Sequence, residues 1–173
     1  HQARNATLAI EVVSQFDPKI KYDMIYNALK KVFWPGRMQE VRQRIFYDVS
    51  HNKKGMEKTL QTMKELYPGK DIHGLLCLKK DKELISLKSV ILKNFKTLIV
   101  SEDQKGLLLK SNILAKELTR VNIKCNPVSS LKNGLVILKN LVKNNSSVGL
   151  VFGSHYIAEE VFHAFEISFD NYY

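Results

Sequence analysis

The 173-residue sequence lacks several signatures of well-known enzymes. It contains no G-x-x-x-x-G-K-[ST] phosphate loop, no G-x-G-x-x-G turn, no H-E-x-x-H metal motif and no G-x-S-x-G nucleophile motif. Because a phosphate loop is missing, we do not expect this chain alone to bind and turn over a nucleoside triphosphate.

Cysteines and long apolar runs are also scarce. Cys77 and Cys125 form no C-x-x-C pair and have no paired Cys/His spacing, so a zinc site and a disulfide framework are both poorly supported. Two thiols in a chain of this size fit a reducing compartment. No apolar run approaches the roughly 18 residues of a membrane span, and no signal-type segment starts the chain. A soluble, cytoplasmic protein without a membrane partner is predicted.

Positive charge is present in excess, with 27 Lys and Arg against 17 Asp and Glu and a net charge of +10. This balance favours anionic partners such as phosphates, nucleotides, nucleic acid or carboxylate substrates. The lysines are spread along the chain rather than massed in a tail, which favours a solvated surface over a nucleic-acid groove. A basic α/β module that binds nucleic acid stays open as an alternative.

The sequence has two parts that differ in their pattern of apolar residues. Residues 3–16 and 22–33 carry apolar side chains at helical spacing, and the Pro-Gly pair at 35–36 is the clearest boundary. The chain also starts without a methionine, directly in a helical pattern, so we interpret it as part of a longer protein. The predicted domains are 1–33, the last helices of a preceding domain, a linker at 34–37, and a second domain at 38–173.

After the linker, short runs rich in β-forming residues alternate with helical patterns of about 10–15 residues. The candidate strands are 38–41, 44–49, 72–78, 96–101, 121–126 and 148–153. This alternation is typical of βαβ units. We therefore predict an α/β fold, Rossmann-like, with a mainly parallel sheet of about six strands flanked by helices and preceded by two helices.

Ligands of open α/β sheets gather beyond the carboxyl ends of the strands. Four polar clusters follow predicted strands and are expected along that one edge. They are residues 48–52, 79–83, 101–104 and 153–155.

Two of these clusters, and Arg37 in the linker, each have a functional and a structural interpretation. Asp48 could accept hydrogen bonds from a ribose or hold a metal-bound water, with His51 beside it, or Asp48 could cap the helix that starts near Lys53. The Gly153-Ser154 turn could offer helix N–H groups to an anion, or Ser154 could be an N-cap. Arg37 suits phosphate through bidentate contact, or it forms an interdomain salt bridge.

These clusters, in this order, resemble the carboxy-terminal part of the folylpolyglutamate synthase/dihydrofolate synthase branch of the Mur ligase family. That branch has a helix beginning His-Gln-x-x-Asn, a Trp-Pro-Gly-Arg linker, a strand followed by Asp-Gly-Ala-His-Asn, a later Asp-Lys-Asp and a closing Gly-Ser. The matching segments here are 1–5, 34–37, 48–52, 81–83 and 153–154.

The resemblance implies a multidomain ATP-dependent ligase. Residues 1–33 would be the end of its central ATP-binding domain and residues 38–173 its carboxy-terminal glutamate ligase domain. The implied reaction adds L-glutamate to the carboxyl group of a folate or dihydropteroate through an acyl phosphate, with ATP and Mg²⁺ as cofactors. A monomer is implied, with no nucleic-acid partner. A cell-wall precursor ligase of the same family is the nearest alternative.

The resemblance also implies roles for individual residues. Asn5 would contact adenine and Arg37 the ATP phosphates. Asp48 would hold the ribose, His51 would lie beside the nucleotide or the incoming glutamate, and Ser154 would help to hold glutamate. We expect no metal ligand in this chain, and we expect the 34–37 linker to act as a hinge.

The sequence departs from the family pattern at three places. Val49-Ser50 replaces Gly-Ala and makes the turn before His51 bulkier. Residues 101–104 are acidic where the family has an Arg-Ala pair, and Glu83 replaces the last Asp of Asp-Lys-Asp.

Overall fold

The computed structural model describes residues 2–17, 19–80 and 84–168. The chain divides into two compact units, His1–Trp34 and Pro35–Tyr173. The first unit is helical, as predicted, with α1 at Gln2–Phe16 and α2 at Tyr22–Lys31. Asp23 lies in the first turn of α2 and two lysines lie in the last turn, an arrangement that suits the helix dipole.

The second unit is built on one six-stranded sheet. Its strands are β1 (Gln39–Arg42), β2 (Ile45–Asp48), β3 (Asp71–Leu76), β4 (Thr97–Val100), β5 (Asn126–Pro127) and β6 (Ser147–Phe152). The strand order is β1-β2-β6-β3-β4-β5. β1 pairs antiparallel with β2, whereas all the other pairs are parallel.

Helices cover both faces of this sheet. They are α3 (Lys53–Leu66), α4 (Leu84–Asn94), α5 (Ser111–Arg120), α6 (Leu131–Leu141) and α7 (Ala158–Ala164). One apolar core packs α3, α4 and α5 against one face, with Leu60, Ile91 and Leu114 buried. A second core packs α6 and α7 against the other face, with Leu135 and Phe162 buried. The predicted α/β fold with a mainly parallel sheet is confirmed.

The predicted strand at 121–126 is largely wrong. Only Asn126 and Pro127 pair with β4, because the preceding residues complete the end of α5 instead. Asn122 has a positive φ of 62°, and the Ile123 N–H donates to the Leu118 carbonyl of that helix at 2.9 Å. The apolar Ile123 side chain is therefore buried as a helix-end contact and not as a strand residue.

Candidate functional site

The polar clusters follow the ends of adjacent parallel strands. Asp48, the last residue of β2, pairs with Phe152 at the end of β6. Phe152 in turn pairs with Leu76 of β3, and Leu76 pairs with Val100 of β4. The loops that follow these four strands therefore leave the sheet side by side at its carboxyl edge.

Asp48 is buried at this edge and accepts hydrogen bonds from main-chain N–H groups that lie before and after β2 in the sequence. Its side chain is 4% exposed. Oδ2 accepts from the Met38 N–H at 2.9 Å, and Oδ1 accepts from the Ser50 N–H at 2.8 Å. The interpretation of Asp48 as a helix cap is wrong, because Asn52 is the N-cap of α3 and accepts from the Gly55 N–H at 2.9 Å.

The Pro-Gly segment is attached to the end of β2 by further contacts. The Val49 N–H donates to the Gly36 carbonyl at 2.8 Å, and the Gly36 N–H donates to Gln39 Oε1 at 2.9 Å. A Cβ at Gly36 would lie 2.7 Å from Cγ1 of Val49, so glycine permits this close approach. The exposed Arg37 thus projects from a segment whose main chain is fixed beside Asp48.

His51 lies half-buried in the same turn. Its Nδ1 lies 3.1 Å from the Val49 carbonyl oxygen. A carbonyl oxygen only accepts, so Nδ1 carries the hydrogen, and Nε2 of the neutral ring is left as an acceptor. Val49 and the buried Ser50 are therefore parts of the turn: Val49 contacts Gly36 and orients His51, and Ser50 binds Asp48.

The Gly153-Ser154 turn leaves β6 directly beside this turn. Gly153 has a φ of 107°, and a Cβ there would lie 2.3 Å from the Cys77 carbonyl oxygen. Ser154 is buried, and its Oγ accepts from the Tyr156 N–H at 3.1 Å. The Ser154 carbonyl accepts from the Tyr47 hydroxyl at 2.8 Å, so β2 holds the turn that follows β6.

Sequence reasoning missed Tyr47 and Tyr156. Tyr47 is fully buried within an apolar strand, and burial raises the pKa of its phenol, so it stays a neutral donor. Its hydroxyl partner lies 107 residues away, and no local pattern signals that contact. The rings of Tyr156 and His155 are tilted by 36° to each other, with centroids 4.2 Å apart. Lys79 Nζ lies 5.7 Å from the centre of the Tyr156 ring. For Tyr156, the sequence did offer a signal, since an aromatic residue stands two positions after Ser154.

The acidic cluster after β4 has structural contacts. Glu102 accepts from the Ser111 N–H at 2.7 Å, at the first residue of α5. Asp103 accepts from the N–H groups of Leu107 and Leu108 at 2.9 and 2.8 Å. The carboxylates that replace the family's basic pair thus organise their own loop and the helix that follows it.

The remaining predicted residues lie elsewhere. Asn5 is an exposed residue of α1, in the first unit, whereas Arg37, Asp48, His51 and Ser154 all belong to the second. The segment matching Asp-Lys-Asp (81–83) and the first residue of the His-Gln motif lie outside the described residues.

Metal and thiol chemistry find little support here. Among the described residues, no group of three or more His, Cys, Asp and Glu side chains could hold a metal ion. Cys77 is buried and Cys125 half-buried, and both are free thiols. Burial raises the pKa of each thiol, which disfavours the thiolate.

None of the helices in the described part of the chain is both long enough and apolar enough to span a bilayer.

Comparison with known sequences identifies two curated relatives, although no family model matches the chain. The chain is 31% identical over 88 residues to the dihydrofolate synthase/folylpolyglutamate synthase of Bacillus subtilis, a match covering 47% of the chain and 20% of the relative. It is 25% identical over 122 residues to the protein of the same name from Mycobacterium tuberculosis, covering 66% of the chain and 25% of the relative. The matches thus span a quarter or less of these relatives.

Comparison with solved structures extends the likeness over nearly the whole chain. The folylpolyglutamate synthase of Mycobacterium tuberculosis, complexed with ADP and AMPPCP, superposes with a TM-score of 0.86 and 22% identity. That match covers 97% of this chain and 40% of the other chain. In both sequence and fold the chain is therefore similar to the dihydrofolate synthase/folylpolyglutamate synthases, and the resemblance predicted from its motifs is confirmed.

Proposed function

We propose that this chain contributes to an ATP-dependent ligase that adds L-glutamate to a carboxyl group of a folate or dihydropteroate. The observation that carries the proposal is the fixed cluster at the end of β2. Hydrogen bonds of Asp48 and Val49 hold the Arg37 segment, the His51 turn lies beside it, and the Ser154 turn follows the neighbouring strand. The likeness to ligases of this name gives the cluster its reaction.

The proposed chemistry begins with an unreactive carboxylate. Transfer of a phosphoryl group from ATP converts one carboxylate oxygen into a leaving group, and ADP departs. The glutamate amine then attacks the acyl carbon, the amide forms, and phosphate leaves. Positioning and charge stabilisation are the main contributions a protein makes to such a phosphoryl transfer.

Arg37 is proposed to bind the phosphates of ATP. Its guanidinium is exposed and has no hydrogen-bond or ion-pair partner among the described residues, whereas its main chain is held in place through Gly36 and Met38. A fixed backbone with an unengaged guanidinium suits bidentate phosphate binding. An interdomain salt bridge is the alternative role of Arg37.

Asp48 and His51 are proposed to contact the nucleotide in different ways. Each Asp48 oxygen already accepts one main-chain N–H but has a further lone pair for a ribose hydroxyl. His51 offers Nε2 as an acceptor, which fits either a nucleotide hydroxyl or the ammonium group of incoming glutamate. Asp48 therefore combines a structural role with its proposed binding role.

Ser154 is proposed to help hold glutamate. Its Oγ accepts one main-chain N–H, which leaves the hydroxyl hydrogen available to a carboxylate. Asn5 is proposed to contact adenine, as the resemblance implies. Following the resemblance, Mg²⁺ is proposed to be bound mainly by parts of the enzyme outside this chain, and no step here is routed through it.

The wider assignments are proposals as well. Residues 1–33 are proposed to end the central ATP-binding domain, 34–37 to form a hinge, and 38–173 to form the glutamate ligase domain. Without the remaining domains the chain is proposed to be inactive. Two free thiols support a cytoplasmic location, and a monomer is proposed on the resemblance alone.

Substrate-dependent ATP hydrolysis by the full-length protein tests the function. We expect ADP release that requires both dihydropteroate or a folate and L-glutamate. Hydrolysis that instead requires a UDP-linked cell-wall precursor would assign the chain to the alternative ligase.

A gel shift with oligonucleotides at about 0.1 M salt tests the nucleic-acid alternative. A salt-dependent shift would contradict the proposed partners.

A further inference from the structure

A basic groove lies at the opposite, amino-terminal edge of the sheet. Its volume is about 420 Å³, and its apolar lining residues are Ile45, Val136 and Val142. The polar side chains that line it come from the β1–β2 turn and the end of α6: Arg42, Gln43, Arg44, Lys139, Asn140 and Lys143. Ile45 at the start of β2 borders the groove, whereas Asp48 ends that strand about 10 Å away at roughly 3.3 Å per residue. The groove is therefore separate from the cluster described above.

The charged side chains that line the groove are cationic. Among the described lining residues, four side chains are cationic and none is a carboxylate. Within the described parts of the chain, none of the four forms an ion pair with an acidic side chain. Glu40 is near, but its Oε1 accepts from the Arg44 main-chain N–H at 2.8 Å.

The lowered pKa of Lys139 indicates that Arg42 lies near it. Desolvation and the nearby charge of Arg42 lower the pKa of Lys139, although Glu166 opposes the shift. Its ammonium lies 4.4 Å from the Phe165 ring centre and 3.4 Å from the Ala164 carbonyl oxygen. An anion between Arg42 and Lys139 would relieve their repulsion.

Arg44 is held in place by its surroundings. Its carbonyl accepts from the Gly149 N–H at 2.8 Å, and its Nη1 donates to the Asn144 carbonyl. Its backbone has a positive φ of 63°, which is uncommon for a residue other than glycine. Its Nε is buried and has no hydrogen-bond partner among the described residues. The half-buried guanidinium is thus preorganised, and it forms no ion pair within the described part of the chain.

We propose that this groove binds a short polyanion, a ligand with two or more closely spaced phosphate or carboxylate groups. Guanidinium groups bind both kinds of oxyanion, and the lining supplies donors from the β1–β2 turn and from the end of α6 and the residues that follow it. The volume falls within the range of small-molecule sites. None of the described residues that line the groove is aromatic and could stack a base, which favours a small ligand over single-stranded nucleic acid.

Calorimetric titration of the chain with inorganic tripolyphosphate and with a glutamate tetrapeptide tests the proposal. The test variant is the double substitution Arg42→Gln, Lys143→Gln, which removes two exposed charges. The matched control is Lys58→Gln, Lys93→Gln, which removes two exposed charges from α3 and α4. Circular dichroism checks that both variants are folded.

We expect saturable binding of at least one probe at about 0.1 M salt. The test variant should bind about tenfold more weakly or worse, and the control within about twofold of the original chain. Binding of tripolyphosphate alone identifies phosphate as the source of the anion, and binding of the tetrapeptide alone identifies carboxylate. Absence of binding by both probes, or equal weakening in both variants, overturns the proposal. Tighter binding of a single-stranded oligonucleotide that the test variant abolishes would overturn the choice of a small ligand.

Discussion

The segments at the carboxyl ends of β2 and β4 contain the same kind of contact but differ in what it holds. Each segment contains a buried aspartate, Asp48 at 4% and Asp103 at 6% exposure. Each aspartate accepts two main-chain N–H groups through its two oxygens. A buried carboxylate at the end of a parallel strand is therefore not in itself a functional mark.

The two loops differ in what the aspartates hold. Asp103 binds Leu107 and Leu108 of its own loop. Asp48 binds Ser50 of its own turn and also Met38, ten residues earlier in the chain. That second contact fixes the segment carrying Arg37 beside the turn carrying His51. In the proposed function, the aspartate that belongs to the site is therefore the one that joins two separate segments.

The largest effect on stability is expected at the turn after β6. Gly153→Ala should destabilise the fold by about 3 kcal/mol or more, because the new Cβ would clash with the Cys77 carbonyl at a positive φ. Gly106→Ala, in the loop after β4, also has a positive φ but an open surrounding, so about 1 kcal/mol is expected. Urea unfolding of both variants measures the contrast, and equal losses would refute the proposed close packing of the Gly153 turn.

The two aspartates should be about equally important for stability. Asp48→Ala and Asp103→Ala each leave two main-chain donors without their charged acceptor, so a loss of about 2–3 kcal/mol is expected from each. Glu57→Ala, at an exposed position of α3, is the control and should change stability by less than about 0.5 kcal/mol. The denaturant midpoint of unfolding measures the loss of stability in each variant. A variant whose midpoint matches that of the control would show that its aspartate does not stabilise the loop.

A smaller effect is expected at the link between β2 and the Ser154 turn. Tyr47→Phe removes the donor to the Ser154 carbonyl but keeps the ring packed against Phe162, so about 1 kcal/mol should be lost. Thermal unfolding measures it. Hydrogen exchange at the Tyr156 amide gives a local reading, and unchanged protection there would argue against a positioning role for Tyr47.

The fold was largely predictable because most parallel strands are continuous apolar runs. β3 and β6 are buried along almost their whole length, and their sequences show it directly. Residues 121–126 alternate apolar and polar side chains, a pattern that also predicts a strand, but Ile123 is buried against the end of α5. Such alternation alone cannot distinguish burial in a helix end from burial in a sheet.

The candidate site was predictable only in part. Strand order placed the polar clusters at one edge, since the carboxyl ends of parallel strands meet there. The partners of Asp48 were not predictable, because Met38 and Ser50 contribute main-chain N–H groups, which every residue except proline has. The same holds for Val49, whose bulk fits against Gly36 through a contact between segments.

The effect of Arg37→Ala on stability should be the smallest, although its effect on activity should be large. Arg37 is exposed and makes no hydrogen bond to any described side chain, so the melting temperature should stay unchanged. Lys105→Ala, which removes an exposed charge and its ion pair with Glu159 from the loop after β4, is the control.

Glutamate ligation by the full-length protein carrying these two substitutions tests the central claim most directly. With dihydropteroate or a folate, ATP and L-glutamate supplied, Arg37→Ala should lower the ligation rate on the order of 100-fold through lost phosphate stabilisation. Lys105→Ala should stay near the original rate. Near-normal ligation by Arg37→Ala, or an equal loss in both variants, would contradict the claim that the end of β2 forms part of the nucleotide site.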